Sequence, residues 1–257
     1  MSSSRYIDAH CHLADPAFRS DLEAILNRSE KAGVVEWVQG GIGPDDWETQ
    51  KKIAKLRLGK IHLAFGIHPW WLASHSEGEV ISAIKQLETE LPNAQFLGEL
   101  GLDYLPKYKA KAEIQKEIFR AQLLLNEIFK KPLVLHIVQA HSDALAILKE
   151  SSSRSGLVHA FSEGKDVLRK YLDLGFLISV GEAVTRKGFQ KLKDALPFIP
   201  ADRLVVETDA CEGRNEPETL ISIAQAISQI RKDLSVEAIL EVSSRNLRPL
   251  LGSPTNE

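Results

Sequence analysis

Short apolar runs and longer amphipathic stretches take turns along the chain. The runs Tyr6–His12, Val34–Gly40, Ile61–Ile67, Phe96–Gly101, Leu133–Val138, Gly156–Phe161, Phe176–Val180 and Leu204–Asp209 predict eight strands. Most are continuously apolar, as expected of parallel strands buried on both faces. Between them the spacing turns helical. Ile114, Ile118, Ala121, Leu125 and Ile128 predict one buried stripe ahead of the fifth strand, and Leu220, Ile223, Ala224, Ile227 and Ile230 another after the eighth. Pro16 and Pro44 sit where helices should begin, and Gly33, Gly59 and Gly175 where they should stop. Eight such alternations predict an α/β fold, a single TIM-type (β/α)8 barrel; an open doubly wound sheet is the alternative. No linker, low-complexity tract or internal repeat divides the chain, so residues 1–257 are expected to form one domain with a frayed tail at Ser253–Glu257.

Composition narrows the classes. A length of 257 residues suits one barrel, a fold of about 250 residues. The net charge of -3, from 32 basic and 35 acidic residues, argues against a protein that coats nucleic acid. It leaves room for an enzyme that meets nucleic acid locally. No apolar run approaches the ~18–20 residues of a membrane span, and no signal-peptide core precedes the first strand. Two cysteines are too few for a disulfide framework. A cytoplasmic monomer or weak oligomer is therefore expected, in which Cys11 and Cys211 stay reduced even if the barrel sets them on adjacent strands.

The ends of the strands carry the chemistry. His10 and His12, two apart, are expected to project to one side and bind one divalent cation. Asp8, one pleat deeper, reads as an orienter of an imidazole. His136 and His159 end apolar strands, where a half-charged ring has no packing reason to be. Glu99 lies among glycines in Gly98-Glu-Leu-Gly-Leu-Asp103, and a carboxylate at a barrel mouth can bridge two cations. Asp209 follows the eighth strand, which a closed barrel sets beside the first, within reach of His10 and His12. Taken singly, each histidine could be a core ring bonded to backbone. Four at like positions on three strands point to a metal-dependent hydrolase with its site at the C-terminal mouth of the strands.

These residues also match a family pattern. Asp8-Ala-His-Cys-His12, Gly66-Ile-His-Pro69, Gly98-Glu-Leu-Gly-Leu-Asp-Tyr104, Leu135-His136, His159-Ala-Phe161, Glu207-Thr-Asp-Ala210 and Arg214-Asn-Glu-Pro217 resemble the TatD family of metal-dependent deoxyribonucleases. The resemblance runs from about residue 6 to about residue 251. It implies two divalent cations (Mg2+, Mn2+ or Zn2+), one held by His10, His12 and Asp209, the other by His136 and His159, with Glu99 bridging. It implies DNA as substrate, often degraded from the 3′ end, with His68 and Arg214 on the substrate side. The chemistry agrees: two cations activate water and neutralise charge, and Asp209 can accept the proton of that water as general base, with Glu99 as its partner in catalysis. Three or four imidazoles favour a transition metal over Mg2+.

Departures from the pattern lie on the substrate side. Val138 stands where an arginine is common, Cys211 where a proline is, and Glu163 where a glycine is; the loop from Asp209 to Arg214 is short. A hydrolase of a small ester, amide or lactone is thus the alternative, and a non-catalytic metal- or partner-binding barrel a third. Lys107, Lys109, Lys111, Arg186 and Lys187 offer cations at helix starts, but Asp45, Asp46, Glu77 and Glu79 make the face mixed. Trp70 and Trp71 are read either as a base-stacking platform or as a cap over the third helix.

Overall fold

The computed structural model describes residues 5–211 and 215–252. Among the described residues nine strands, β1 (Tyr6–Cys11), β2 (Val34–Gln39), β3 (Ile61–His62), β4 (Ala64–Phe65), β5 (Phe96–Asp103), β6 (Leu133–Val138), β7 (Gly156–Val158), β8 (Leu177–Val180) and β9 (Leu204–Val206), form two parallel sheets in chain order, β1 to β3 and β4 to β9. The helices are α1 (Leu22–Lys31), α2 (Pro44–Ala54), α3 (Pro69–Ser74), α4 (Glu77–Glu90), α5 (Ala112–Phe129), α6 (His141–Glu150), α7 (Lys165–Asp173), α8 (Gln190–Ala195), α9 (Leu220–Arg231) and α10 (Val236–Leu247). Beyond β9 the chain returns to β1: Asp209 N–H donates to His10 O at 3.0 Å and His12 N–H to Ala210 O at 2.8 Å. The strands thus follow one another around a ring, the α/β architecture expected. No helix among the described residues is long and apolar enough to cross a membrane.

The third strand breaks in two at Leu63. Its N–H donates to the Gln95 side chain at 2.8 Å, so a side chain takes a place the ladder would have filled. Nearby, the Gln50 amide donates to Gly40 O at 3.0 Å and to Ala64 O at 3.2 Å, bridging from the end of β2 to β4. β3 therefore pairs with β2, and β4 with β5.

Side chains pointing into the ring form two layers. The lower is apolar: Ile7 and Ala9, Val38, Ala64, Phe96, Val134, Leu157, Leu177 and Val205, closed from below by Leu247 and Leu251. Two residues further along the same strands come Gly40, Gly66, Gly98, His136, His159, Ser179 and Glu207. Side chains alternate along a strand, so this second layer faces the same interior. Three glycines hollow one half of it, and polar groups line the other.

Two irregularities adjust that alternation. In β5, Gly98 pairs with Val134 and Leu100 with Leu135, leaving Glu99 as an extra residue without a partner in β6. A bulge reverses which residues face inward. Leu97, Leu100 and Leu102 pack outward in the main core, while Glu99, Gly101 and Asp103 turn inward. A register shift between Asp8 and Cys11 in β1 does the same for His10. Ile7 and Ala9 therefore lie inside, and Asp8 does not follow the histidines as expected. Its carboxylate instead accepts from Thr208 N–H at 2.9 Å and Thr208 Oγ1 at 2.5 Å, tying β1 to the segment after β9.

Helix α5 buries a face rotated from the one its isoleucines predict. Gln115, Phe119, Gln122, Leu123 and Asn126 are buried, Ile114, Ile118 and Leu125 pack half-buried against the core, and Ile128 is 71% exposed. The barrel's outer surface explains the difference. Gln115 receives Asp103 N–H at 2.8 Å, and Gln122 receives Ile67 N–H at 2.8 Å and returns a bond to Ile67 O. Backbone groups at the strand ends need partners once buried, and amide side chains supply them. Along α9, the expected face is the buried one, from Leu220 through Ile227.

The bottom of the barrel carries its own ion pair. Arg248, just past α10, donates to both Glu36 oxygens at 2.7 Å, and His62 lies 3.2 Å from the same carboxylate. These partners outweigh burial and hold the Glu36 carboxyl below its ordinary range. A depressed folded pKa adds stability above the unfolded value, near 4.3, that is lost as pH falls through the folded one. Glu36→Gln should cost about 1 kcal/mol, or roughly 2–4 °C in melting temperature at pH 7. Melting curves at pH 7 and pH 3 test this: the gap from the unsubstituted chain should close in acid. A gap that persists would remove the ion pair as its cause.

Candidate metal centre

The upper layer converges on Glu99. Its Oε1 lies 3.4 Å from both His10 Nε2 and His12 Nε2, and those two nitrogens are 3.3 Å apart. Its Oε2 lies 3.4 Å from His136 Nδ1 and 3.7 Å from His159 Nε2. Asp209 Oδ1 stands 3.4 Å from His12 Nε2 and 3.9 Å from His159 Nε2. The six groups expected as ligands are thus brought together, with the two oxygens of one carboxylate facing different imidazoles. Arg214 lies outside the described residues.

The donor set fits a divalent cation. Glu99 Oε1 is buried with no hydrogen-bond partner among the described residues, so the imidazoles beside it or a bound cation must supply its counter-charge. A tetrahedral ion with bonds of 2.0–2.1 Å has donor–donor edges of about 3.4 Å. The triangle of His10, His12 and Glu99 has edges of 3.3, 3.4 and 3.4 Å. His10, His159 and Asp209 form a second grouping within ligand spacing, and His68, Glu99 and His136 a third.

His68 also approaches, with Nε2 3.7 Å from Glu99 Oε2, but its tautomer sets it apart. Its Nδ1 accepts Trp70 N–H at 3.0 Å, capping α3. Burial holds the ring well below its ordinary pKa, and hence neutral. A neutral imidazole that accepts at Nδ1 carries its proton on Nε2. His68 therefore points a donor, not a lone pair, into the site.

Two carboxylates that sequence reasoning left without a role orient the rings. Glu207 Oε1 lies 2.9 Å from His159 Nδ1, and its other oxygen accepts from Ser179. Asp103 Oδ2 lies 3.3 Å from His136 Nε2 and accepts Trp70 Nε1–H at 2.6 Å. Each faces the nitrogen that points away from Glu99, which fixes the tautomer presented inward. The leucine spacing of β5 held the signal: three residues from Leu97 to Leu100, then two to Leu102, imply a bulge that sets Asp103 on the face of Glu99.

The charges interlock. Burial opposes ionisation throughout. Even so, Asp209 and Glu99 push His12 up to about 9, and Glu207 and Asp209 push His159 up to about 10. The facing imidazoles in turn hold the Asp209 and Glu99 carboxyls well below their usual range. His10, buried between other rings, moves down. At Asp209 the backbone turns left-handed, with φ of 52°, a conformation aspartate adopts more readily than most side chains.

Gly40 makes room for all this. A Cβ there would lie 2.7 Å from both Glu99 Oε1 and His10 Nε2. Gly40→Ala should displace these donors and weaken cation binding by about 10–100-fold, the scale seen when ligand orientation is lost. Titration calorimetry checks it, and unchanged affinity would show that the site yields freely.

The other expectations divide. Trp71 stacks on His75 at 3.7 Å between centroids, partly buried against the core, whereas Trp70 is 37% exposed. Arg186 pairs with Glu182 on the surface. Val138 is half-buried opposite Asp103, at the mouth end of β6. Cys11 and Cys211 are not joined by a disulfide.

Known proteins resemble this chain in sequence and fold. The model of the family described as TatD related DNase matches residues 7–252. An uncharacterized metal-dependent hydrolase of Bacillus subtilis, YabD, is 31% identical over 254 residues, spanning 95% of this chain and 97% of its own. Human deoxyribonuclease TATDN3 is 27% identical, over 93% of this chain and 92% of its own. The crystal structure of YjjV, a TatD homologue from Escherichia coli K12, superposes with a TM-score of 0.89 at 27% identity, covering 98% of this chain and all of that one. With a family match over nearly its whole length, the chain belongs to the TatD-related DNase family of metal-dependent hydrolases.

Proposed function

We propose that this chain hydrolyses DNA phosphodiesters with a pair of divalent cations, removing nucleotides from the 3′ end. Glu99 carries the reading: one of its oxygens stands 3.4 Å from His10 and His12, and the other 3.4 Å from His136. His10, His12 and Asp209 would hold one ion, and His136 and His159 the other, with Glu99 between. Such a set favours Zn2+ or Mn2+ over Mg2+ in affinity. When bound, the ions supply an activated water and neutralise charge on the attacking and leaving oxygens.

The chain's own groups do the rest. Asp209, kept ionised by His159 and His12, accepts the proton of the attacking water. The Nε2–H of His68 is poised to donate to a phosphoryl oxygen. Glu207 and Asp103 hold His159 and His136 in the required tautomers. DNA as substrate draws support from the name of the human relative. A cytoplasmic setting suits the buried Cys11 thiol.

Metal-loaded protein incubated with 5′-labelled single-stranded and duplex DNA tests the proposal. Elemental analysis should give close to two cations per chain, and products should shorten from the 3′ end. The apolar Val138 at the mouth favours a second reading, a small neutral ester, amide or lactone. Protein inert on DNA but active on such compounds would establish that reading instead.

Cation binding must also displace the protons held near His12 and His159. Apparent affinity should therefore climb as pH rises toward about 9. An affinity flat across the neutral and mildly alkaline range would mean that these rings are not ligands.

A further inference from the structure

Of the large hydrophobic side chains exposed among the described residues, Trp70 is the one that touches the imidazole cluster. Its ring centroid lies 4.7 Å from that of His68 and 5.5 Å from that of His136. Behind it stands Tyr108, stacked at 5.7 Å with the planes 20° apart, and beyond that Lys107, its Nζ 5.1 Å from the Tyr108 centroid. The indole is also fixed in plane, because Nε1–H donates to Asp103 Oδ2 at 2.6 Å. A rigid ring, backed by a second and partly open to solvent, offers a surface on which a flat group can stack.

We infer, resting on the nuclease reading, that Trp70 backed by Tyr108 is the platform on which the base next to the scissile phosphate stacks. Every base has a π-face, so such a platform grips DNA without reading sequence. Its place beside His68 and His136 would bring the sugar of a stacked nucleotide over the metal centre. Lys107, at the outer end, offers a cation to the backbone phosphate. Affinity would then come from the base rather than from a basic groove, which suits a chain of net charge -3. Trp70 is a binding residue here, and Tyr108 positions it.

Two 5′-labelled oligonucleotides test this, alike except that one carries an abasic nucleotide at its 3′ end. The unsubstituted enzyme should remove the base-bearing nucleotide with a KM about tenfold lower than the abasic one. In Trp70→Leu that ratio should fall to about one through a rise in the base-bearing KM, and in Tyr108→Ala it should fall part of the way. Trp70→Phe, which keeps a ring but loses the N–H, should recover most of the ratio. That recovery separates stacking from the link to Asp103. Equal KM values for the two oligonucleotides in the unsubstituted enzyme would overturn the platform and leave the nuclease standing. So would a ratio untouched in Trp70→Leu. Cleavage of neither oligonucleotide by the metal-loaded enzyme would overturn both.

Discussion

Glu99→Gln should leave the chain able to hold at most one cation and should lower DNA hydrolysis by about a thousandfold or more. Glutamine matches glutamate in size and can fill the space beside Gly40. It cannot offer a negative oxygen to both imidazole pairs at once, because one end of its amide is a donor. In the structure Oε1 faces His10 and His12 while Oε2 faces His136 and His159, so either orientation of the amide spoils one side. The readouts are independent. Cation at a hundred times its dissociation constant stabilises by about 2.7 kcal/mol, a rise of roughly 5–10 °C in melting temperature for a domain of this size. Glu99→Gln should lose most of that rise. Two cations and a full thermal shift in the variant would show that Glu99 bridges nothing.

Asp209→Asn should separate catalysis from binding. Removing a positioned general base costs about 10²–10⁴-fold in turnover. Four imidazoles and Glu99 remain around the site, so most of the metal and most of the thermal shift should stay. The variant should also disturb its neighbours. His12 and His159 owe part of their elevated pKa to the Asp209 charge, and both should titrate at lower pH in the metal-free variant, which NMR of the ring protons can follow. Unaltered turnover would take Asp209 out of proton transfer. Loss of both ions would make it mainly a ligand.

Much of this was legible in the residues. Apolar runs ending in His, Glu or Asp gave away both the strands and the polar layer at their C-terminal ends, because a buried imidazole at a strand end has little other use. What stayed hidden depended on partners distant in sequence. Asp8 reads as the companion of His10 and His12 until the register shift in β1 turns it toward Thr208. The isoleucines of α5 suggest a fully buried stripe, but the backbone beneath needs amides, so Gln115, Gln122 and Asn126 take the deepest positions and leave Ile114 and Ile118 half-buried beside them. Gly40 looks like an ordinary turn residue, since nothing local reveals the ring of His10 that presses against it. Glu207 and Asp103 were visible within their motifs, yet their tasks follow only from where His159 and His136 stand.

The unpaired residue of β5 bears on any attempt to remodel this scaffold. A redesign that regularised the strand by deleting one position would restore an unbroken ladder with β6, and a stability calculation would favour it. The same edit would rotate the central acid out among the helices and leave the imidazoles at the mouth without the carboxylate that faces them from the middle. Here catalytic competence is written as an imperfection of the sheet, and a more ideal framework would be an inert one.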